Sequence, residues 1–295
     1  MHDWVQKDYQ ATLHVSKTRY NVSDFVRNNK KELWKIFVPL MPFIVGLYLL
    51  DAVISDLYYS DGEIGTGVLN EIVSIGAVVE RFEIGALIAN YFLVCLAISW
   101  HRIVIQGVDS YTPMKPFSPK KHELVFIGVG ILGGIVYVLI FALMTGVMLY
   151  LSSIGYEASM IAVYGALFFW IFLPLMTYIF YRFCLYFPAK AVNAKITLRK
   201  AFSLSGGHLW RLLFVMIRAT FIWDILALVY ILSASMASFA IQSFFQIPSW
   251  EYMISFVLYL PVLLYFLPIL TVLGVTALSN YYLYAVQNDN EAVKG

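Results

Sequence analysis

Residues 101–124 read HRIVIQGVDSYTPMKPFSPKKHEL and lie between two long apolar runs, 84–100 and 124–151. The stretch carries Arg102, Lys115, Lys120 and Lys121, and its prolines Pro113, Pro116 and Pro119 mark a loop. A basic loop between two apolar runs of spanning length is the signature of a cytoplasmic connection in a polytopic membrane protein.

Working outward, basic and non-basic connections alternate. The N-terminal arm, 1–35, has seven Lys and Arg residues: Lys7, Lys17, Arg19, Arg27, Lys30, Lys31 and Lys35. The connection 51–83 has only Arg81, and 151–160 and 241–252 have none. The connection 181–211 has six: Arg182, Lys190, Lys195, Arg199, Lys200 and Arg211. The pattern predicts an all-α fold of six transmembrane helices, taken as three hairpins, with both termini in the cytoplasm. The spans are expected at about 34–54, 84–103, 122–151, 159–187, 209–240 and 252–286. Residues 1–33 form a cytoplasmic arm whose first twenty residues are mobile, and 287–295 a polar, disordered tail.

Short interfacial helices are expected at 22–29, opened by Ser23, and at 197–205, capped by Thr197. In the second, Leu198, Ala201 and Phe202 face inward and Arg199 and Lys200 outward. Residues 66–79 read as a helix on the outer surface or leading into the second span. Trp34, Trp100 and Trp210 fall at cytoplasmic ends and Trp250 at an outer end, as an aromatic belt does. No signal peptide precedes the first apolar run, so span one would serve as an uncleaved anchor.

Composition agrees. Hydrophobic residues make up 61% of the chain and charged residues 13%, against roughly 45–50% and about 25% in soluble domains. The polar arm is too short for an independent core, so a catalytic head domain is excluded. The outer connection 51–83 is acidic, and the sign asymmetry suits a bacterial inner membrane.

Catalytic and metal motifs do not emerge. Cys95 and Cys184 lie inside predicted spans and read as small buried hydrophobes. The five His, at 2, 14, 101, 122 and 208, lack metal-ligand spacing. There is no phosphate-binding loop, no dinucleotide fingerprint and no pattern for nucleic acid, and no cofactor is expected.

Two further patterns stand out. Lys30–Trp34, Lys120–Leu124 and Gly207–Arg211 each precede a span, about 85–91 residues apart, and 172–177 echoes 266–271. These suggest an elbow and hairpin used three times. Arg218 lies eight residues past Trp210, roughly 12 Å deeper along a helix. Asp224 is deeper still and six residues on, so the two do not pair within the helix. Ionisable residues in a span are functional candidates by default. His101, Arg102, Arg182, Arg211 and Arg218 are therefore the candidate lining of a cytoplasm-facing anion or lipid site. Lys195, Arg199 and Lys200 are candidate contacts to the lipid surface.

Trp100-His101-Arg102, the stretch from Tyr181-Arg182 through Phe187-Pro188-Ala189, and Leu198 through Trp210-Arg211 resemble a broad group of poorly characterised six-span bacterial inner-membrane proteins. That group is similar to the membrane domain ahead of the catalytic barrel in some glycerophosphodiester phosphodiesterases. The resemblance implies a helical bundle with cytoplasmic elbows and no activity, because the barrel has no counterpart here. The expected function is non-enzymatic: a scaffold, accessory subunit or membrane-homeostasis factor. It would act through anionic lipids, a protein partner or a second copy. The alternative is a small transporter or channel-like protein for an anionic solute or lipid.

Overall fold

The computed structural model describes residues 15–60, 84–157, 178–206, 209–245 and 251–294, together with 160, 163–165, 170 and 175. Every regular element among them is helical: α1 (Val15–Asn28), α2 (Lys30–Phe37), α3 (Met41–Ser60), α4 (Ile84–Gln106), α5 (Lys121–Ser153), α6 (Tyr186–Ala191), α7 (Leu198–Leu204), α8 (Leu209–Phe245), α9 (Glu251–Pro261) and α10 (Leu267–Lys294). A π-helical turn, Val262–Phe266, joins α9 to α10.

Among the described residues, three stretches are long and apolar enough to cross a membrane: Lys121–Ser153, Leu212–Ile241 and Phe256–Gln287. A fourth arises if α2 and the start of α3 count as one span bent by 52°. The bend has a local cause. Pro39 and Pro42 lack N–H groups, so the α-helical ladder cannot run through. The chain tightens instead, with Leu40 N–H donating to the Phe37 carbonyl at 2.9 Å and Met41 N–H to that of Val38 at 3.3 Å. The expected fourth span falls only in part on described residues, and the outer segment 66–79 lies outside them.

The bundle is organised around α10, which packs on α1, α4 and α8. From Thr276 to Tyr282 seven consecutive residues are buried. A helix buried all round is central rather than amphipathic. α8 contributes a stripe of Leu212, Val215, Ala219, Ala227, Ala234 and Ser238 to the interior, at the three- and four-residue spacing of one helix face.

Several expectations need correction. The arm is helical from Val15, and Val22, Phe25 and Val26 are buried in the main core, so α1 is a packed helix rather than an interfacial turn. The tail 287–294 continues α10 rather than fraying, and Lys200 Nζ holds Asp289 at 2.7 Å across to α7. Trp100 is fully buried and is not a belt residue, whereas Trp210 is 62% exposed. In α7 the Thr197 cap forms as expected, its hydroxyl accepting from Lys200 N–H at 3.2 Å. Only Ala201 faces inward, however, while Leu198 and Phe202 stay exposed.

The loop after α4 also departs from a free cytoplasmic connection. It doubles back along α4 until Tyr91 Oη donates to the Pro116 carbonyl at 2.5 Å. Phe117 then stands beside Phe43 and Phe92, with centroids 5.3 and 6.3 Å away.

Candidate functional site

Three successive residues near the end of α4 send their side chains to three different places. Trp100 Nε1 donates to Thr276 Oγ1 at 2.8 Å. His101 Nδ1 is hydrogen-bonded to Ser279 Oγ at 2.6 Å. Both partners are on α10, three residues apart and therefore on one face. Arg102 turns the other way. Nε donates to the Ala191 carbonyl at 2.7 Å, Nη1 to that of Thr112 at 3.0 Å, and Nη2 to Glu123 Oε1 at 2.5 Å. Nη2 also meets His122 Nε2 at 3.0 Å. Arginine can only donate, so His122 accepts there and carries its own proton on Nδ1.

The Arg102–Glu123 pair is nearly out of solvent, with side-chain exposures of 4% and 2%. Glu123 is positioned by the start of α5, where its Oε2 accepts the Lys120 N–H at 2.6 Å. Ser99 completes the anchorage by accepting the Met114 N–H at 2.9 Å while donating to the Cys95 carbonyl. This cluster locks α4, the doubled-back loop, α5, α6 and α10 together. Four of the five Arg102 N–H groups are spent on the protein and its side chain is 4% exposed, and His101 is turned to α10, so neither faces an external anion.

Arg182 differs. Its guanidinium lies over the Phe202 ring at 4.0 Å, and its backbone carbonyl accepts the Ser205 hydroxyl at 2.9 Å. Gly206 makes room: a Cβ there would sit 3.4 Å from Arg182 Nη1 and 3.1 Å from the Ser203 carbonyl. Arg182 Nε is buried and donates to nothing, and the Tyr281 hydroxyl is likewise buried without a partner. The ion pairs among the described residues join Arg27 to Asp24, Lys35 to Glu32, Arg102 to Glu123 and Lys200 to Asp289, so no carboxylate there neutralises Arg182.

The remaining candidates do not converge on this place. Arg218 and Asp224 lie off the buried stripe of α8 and are exposed. The Arg211 side chain lies outside the described set. Lys195, Arg199 and Lys200 are exposed around α7. Among the described residues no group of His, Cys, Asp and Glu could hold a metal ion, and Cys95 and Cys184 are buried and unpaired.

Outside the spans, Tyr111 is the titratable group most altered. Burial, and then the Glu32 carboxylate that accepts its hydroxyl at 3.1 Å, push the phenol from its usual 10.0 up to about 12.

A scan against protein-family models finds no match, and neither do searches of the curated proteins and of the solved structures. The reading of this site rests on its own residues.

Glu123, Thr276, Ser279 and Tyr281 were not among the sequence candidates. Glu123 carried a usable signal. It is a carboxylate at the mouth of a span, on the same connection as Arg102, where the only other carboxylate is Asp109.

Proposed function

We propose that the protein is a six-span inner-membrane protein, both termini in the cytoplasm, that works without chemistry of its own. It acts as a scaffold, accessory subunit or membrane-homeostasis factor through a cytoplasmic elbow that contacts anionic lipid. The observation that carries this reading is α7. Leu198 is 41% exposed and Phe202 38% exposed, beside exposed Lys195, Arg199 and Lys200. Apolar side chains flanked by basic ones suit the headgroup boundary, where each basic residue near an anionic surface contributes about 1 kcal/mol. The charge alternation along the chain and the resemblance to six-span inner-membrane proteins support the same reading. In it, the Arg102–Glu123 centre is a structural clasp.

The test is the Lys195→Gln, Arg199→Gln, Lys200→Gln triple variant in nanodiscs of phosphatidylglycerol and phosphatidylcholine. Headgroup cross-linking to α7 should fall with the fold intact, while Arg218→Ala and Asp224→Asn leave it unchanged. Unaltered cross-linking in the triple variant would sink the reading.

One feature favours the transporter alternative. The helix from Glu251 is interrupted by Pro261 and the π-helical turn Val262–Phe266, and such interruptions are frequent at functional sites. On that reading Arg218→Ala or Asp224→Asn abolishes anion flux in proteoliposomes while the protein stays folded.

A further inference from the structure

Two polar groups in the seam between α7 and α10 are buried and unspent. Arg182 holds a cationic Nε–H with no acceptor, and Tyr281, only 3% exposed, holds a hydroxyl with none. Leaving such groups unmade is unfavourable, and more so where the donor belongs to a charged group; the Arg182 side chain as a whole is half-buried, with Nε on its buried edge. Native interiors rarely tolerate either, so each needs an explanation.

The two belong to one place. Tyr281 packs in a single cluster with Cys184, Leu185 and Ala201, and Tyr181, the residue before Arg182, packs against that cluster. Phe202 of α7 lies against Arg182, and α7 packs on α10, which carries Tyr281. The guanidinium is also held rather than free: Phe202 lies against its face and Ser205 fixes the backbone behind it. A planar guanidinium stacked on an aromatic ring keeps its N–H edge directed outward, ready for an oxyanion.

What would satisfy both groups is one acceptor with a negative charge and more than one oxygen. A carboxylate of the protein could do this, but among the described residues none pairs with Arg182. We infer that the Arg182–Tyr281 seam is a binding site for a phosphate anion, carried on an anionic phospholipid headgroup or free in the cytoplasm. The inference rests on the proposed lipid-contacting reading and sharpens it. The surface lysines of the elbow attract anionic lipid in general, and this seam would hold one phosphate specifically.

The experiment is native mass spectrometry of the delipidated protein in gentle detergent. Phosphatidylglycerol, phosphatidylcholine and inorganic phosphate are added separately. The wild type should retain one phosphatidylglycerol in preference to phosphatidylcholine. Tyr281→Phe, which removes a single oxygen, should lower that retention roughly tenfold, as loss of a hydrogen bond to a charged group does. Arg182→Gln should lower it further. Tyr281→Phe is the deciding variant if Arg182→Gln fails to fold. Inorganic phosphate bound with the same dependence on both residues supports the site and makes free phosphate the source. Equal retention of the two lipids by the wild type, with no inorganic phosphate bound, would overturn the inference. So would a Tyr281→Phe protein that retains phosphatidylglycerol as the wild type does, since the phenol would then serve only Arg182. The Lys195, Arg199, Lys200 triple variant separates the two levels. It should lose headgroup cross-linking yet keep the one retained lipid, so the seam and the elbow can fail independently.

Discussion

Removing Glu123 should be far more damaging than its single hydrogen bond suggests. The Arg102 guanidinium is buried and cannot lose its proton. Glu123→Leu therefore strands a charge, which costs about 3–5 kcal/mol. Arg102→Met strands the carboxylate instead and also frees the carbonyls of Ala191 and Thr112. The range for breaking a buried pair is the same, about 3–5 kcal/mol. If the two sites were independent, the double variant would lose about 6–10 kcal/mol. The structure argues otherwise. In Arg102→Met/Glu123→Leu no charge is left, and what remains unpaired in the interior is the Ala191 and Thr112 carbonyls and the Lys120 N–H; His122 Nε2 also loses its donor, but the residue is half-buried and water can replace it. At about 1 kcal/mol each, three lost hydrogen bonds give a total near 3 kcal/mol. The double variant should thus be about as stable as either single one, or more so, with a coupling energy of at least about 3 kcal/mol. Denaturant unfolding in detergent, followed by tryptophan fluorescence, measures all three. Additive losses within about 0.5 kcal/mol would refute the clasp, since that is how independent sites behave.

The other predictions concern the same end of the bundle. Trp100→Phe with Thr276→Val should cost about 1–3 kcal/mol, whereas Trp100→Ala should cost about 3–5 kcal/mol because Trp100 is fully buried and its removal leaves a cavity; the same unfolding assay separates them. Tyr111 should titrate near 12 rather than 10.0 in an ultraviolet difference titration against Tyr111→Phe, and Glu32→Gln should bring it part of the way back. The sign follows from the raised value. The neutral phenol is the favoured form in the fold, so its contribution is full below pH 10 and lost as pH rises toward 12.

Where the chain repeats a single physical requirement, the sequence was readable. Long apolar runs gave helices, and Thr197 announced its own cap. What escaped were relations between distant positions. Trp100 looked like a belt residue because belts and buried anchors use the same side chain, and only Thr276, 176 residues on, tells them apart. Arg102 was read as unspent because Glu123 was read as part of an elbow. Phe202 was assigned inward from its helical spacing, yet its ring serves the Arg182 guanidinium at the surface. Pro39 and Pro42 fall within the span expected at 34–54, and the bend of 52° follows from both together. The doubling back of the loop to Tyr91 had no sequence signal, since a tyrosine hydroxyl and a proline carbonyl pair in no fixed pattern.

The position of α10 at the middle of the bundle bears on biogenesis. The ribosome makes α1, α4 and α8 before the helix that they all border. Until α10 arrives, Trp100 and His101 have no Thr276 and Ser279 to meet, and the interior is a vacancy lined by half-made hydrogen bonds. Insertion of the earlier helices can proceed one at a time, but their consolidation must wait for a single late arrival. A chain stopped before residue 267 would thus leave a set of inserted helices with no keystone, a natural substrate for membrane quality control rather than a smaller working protein.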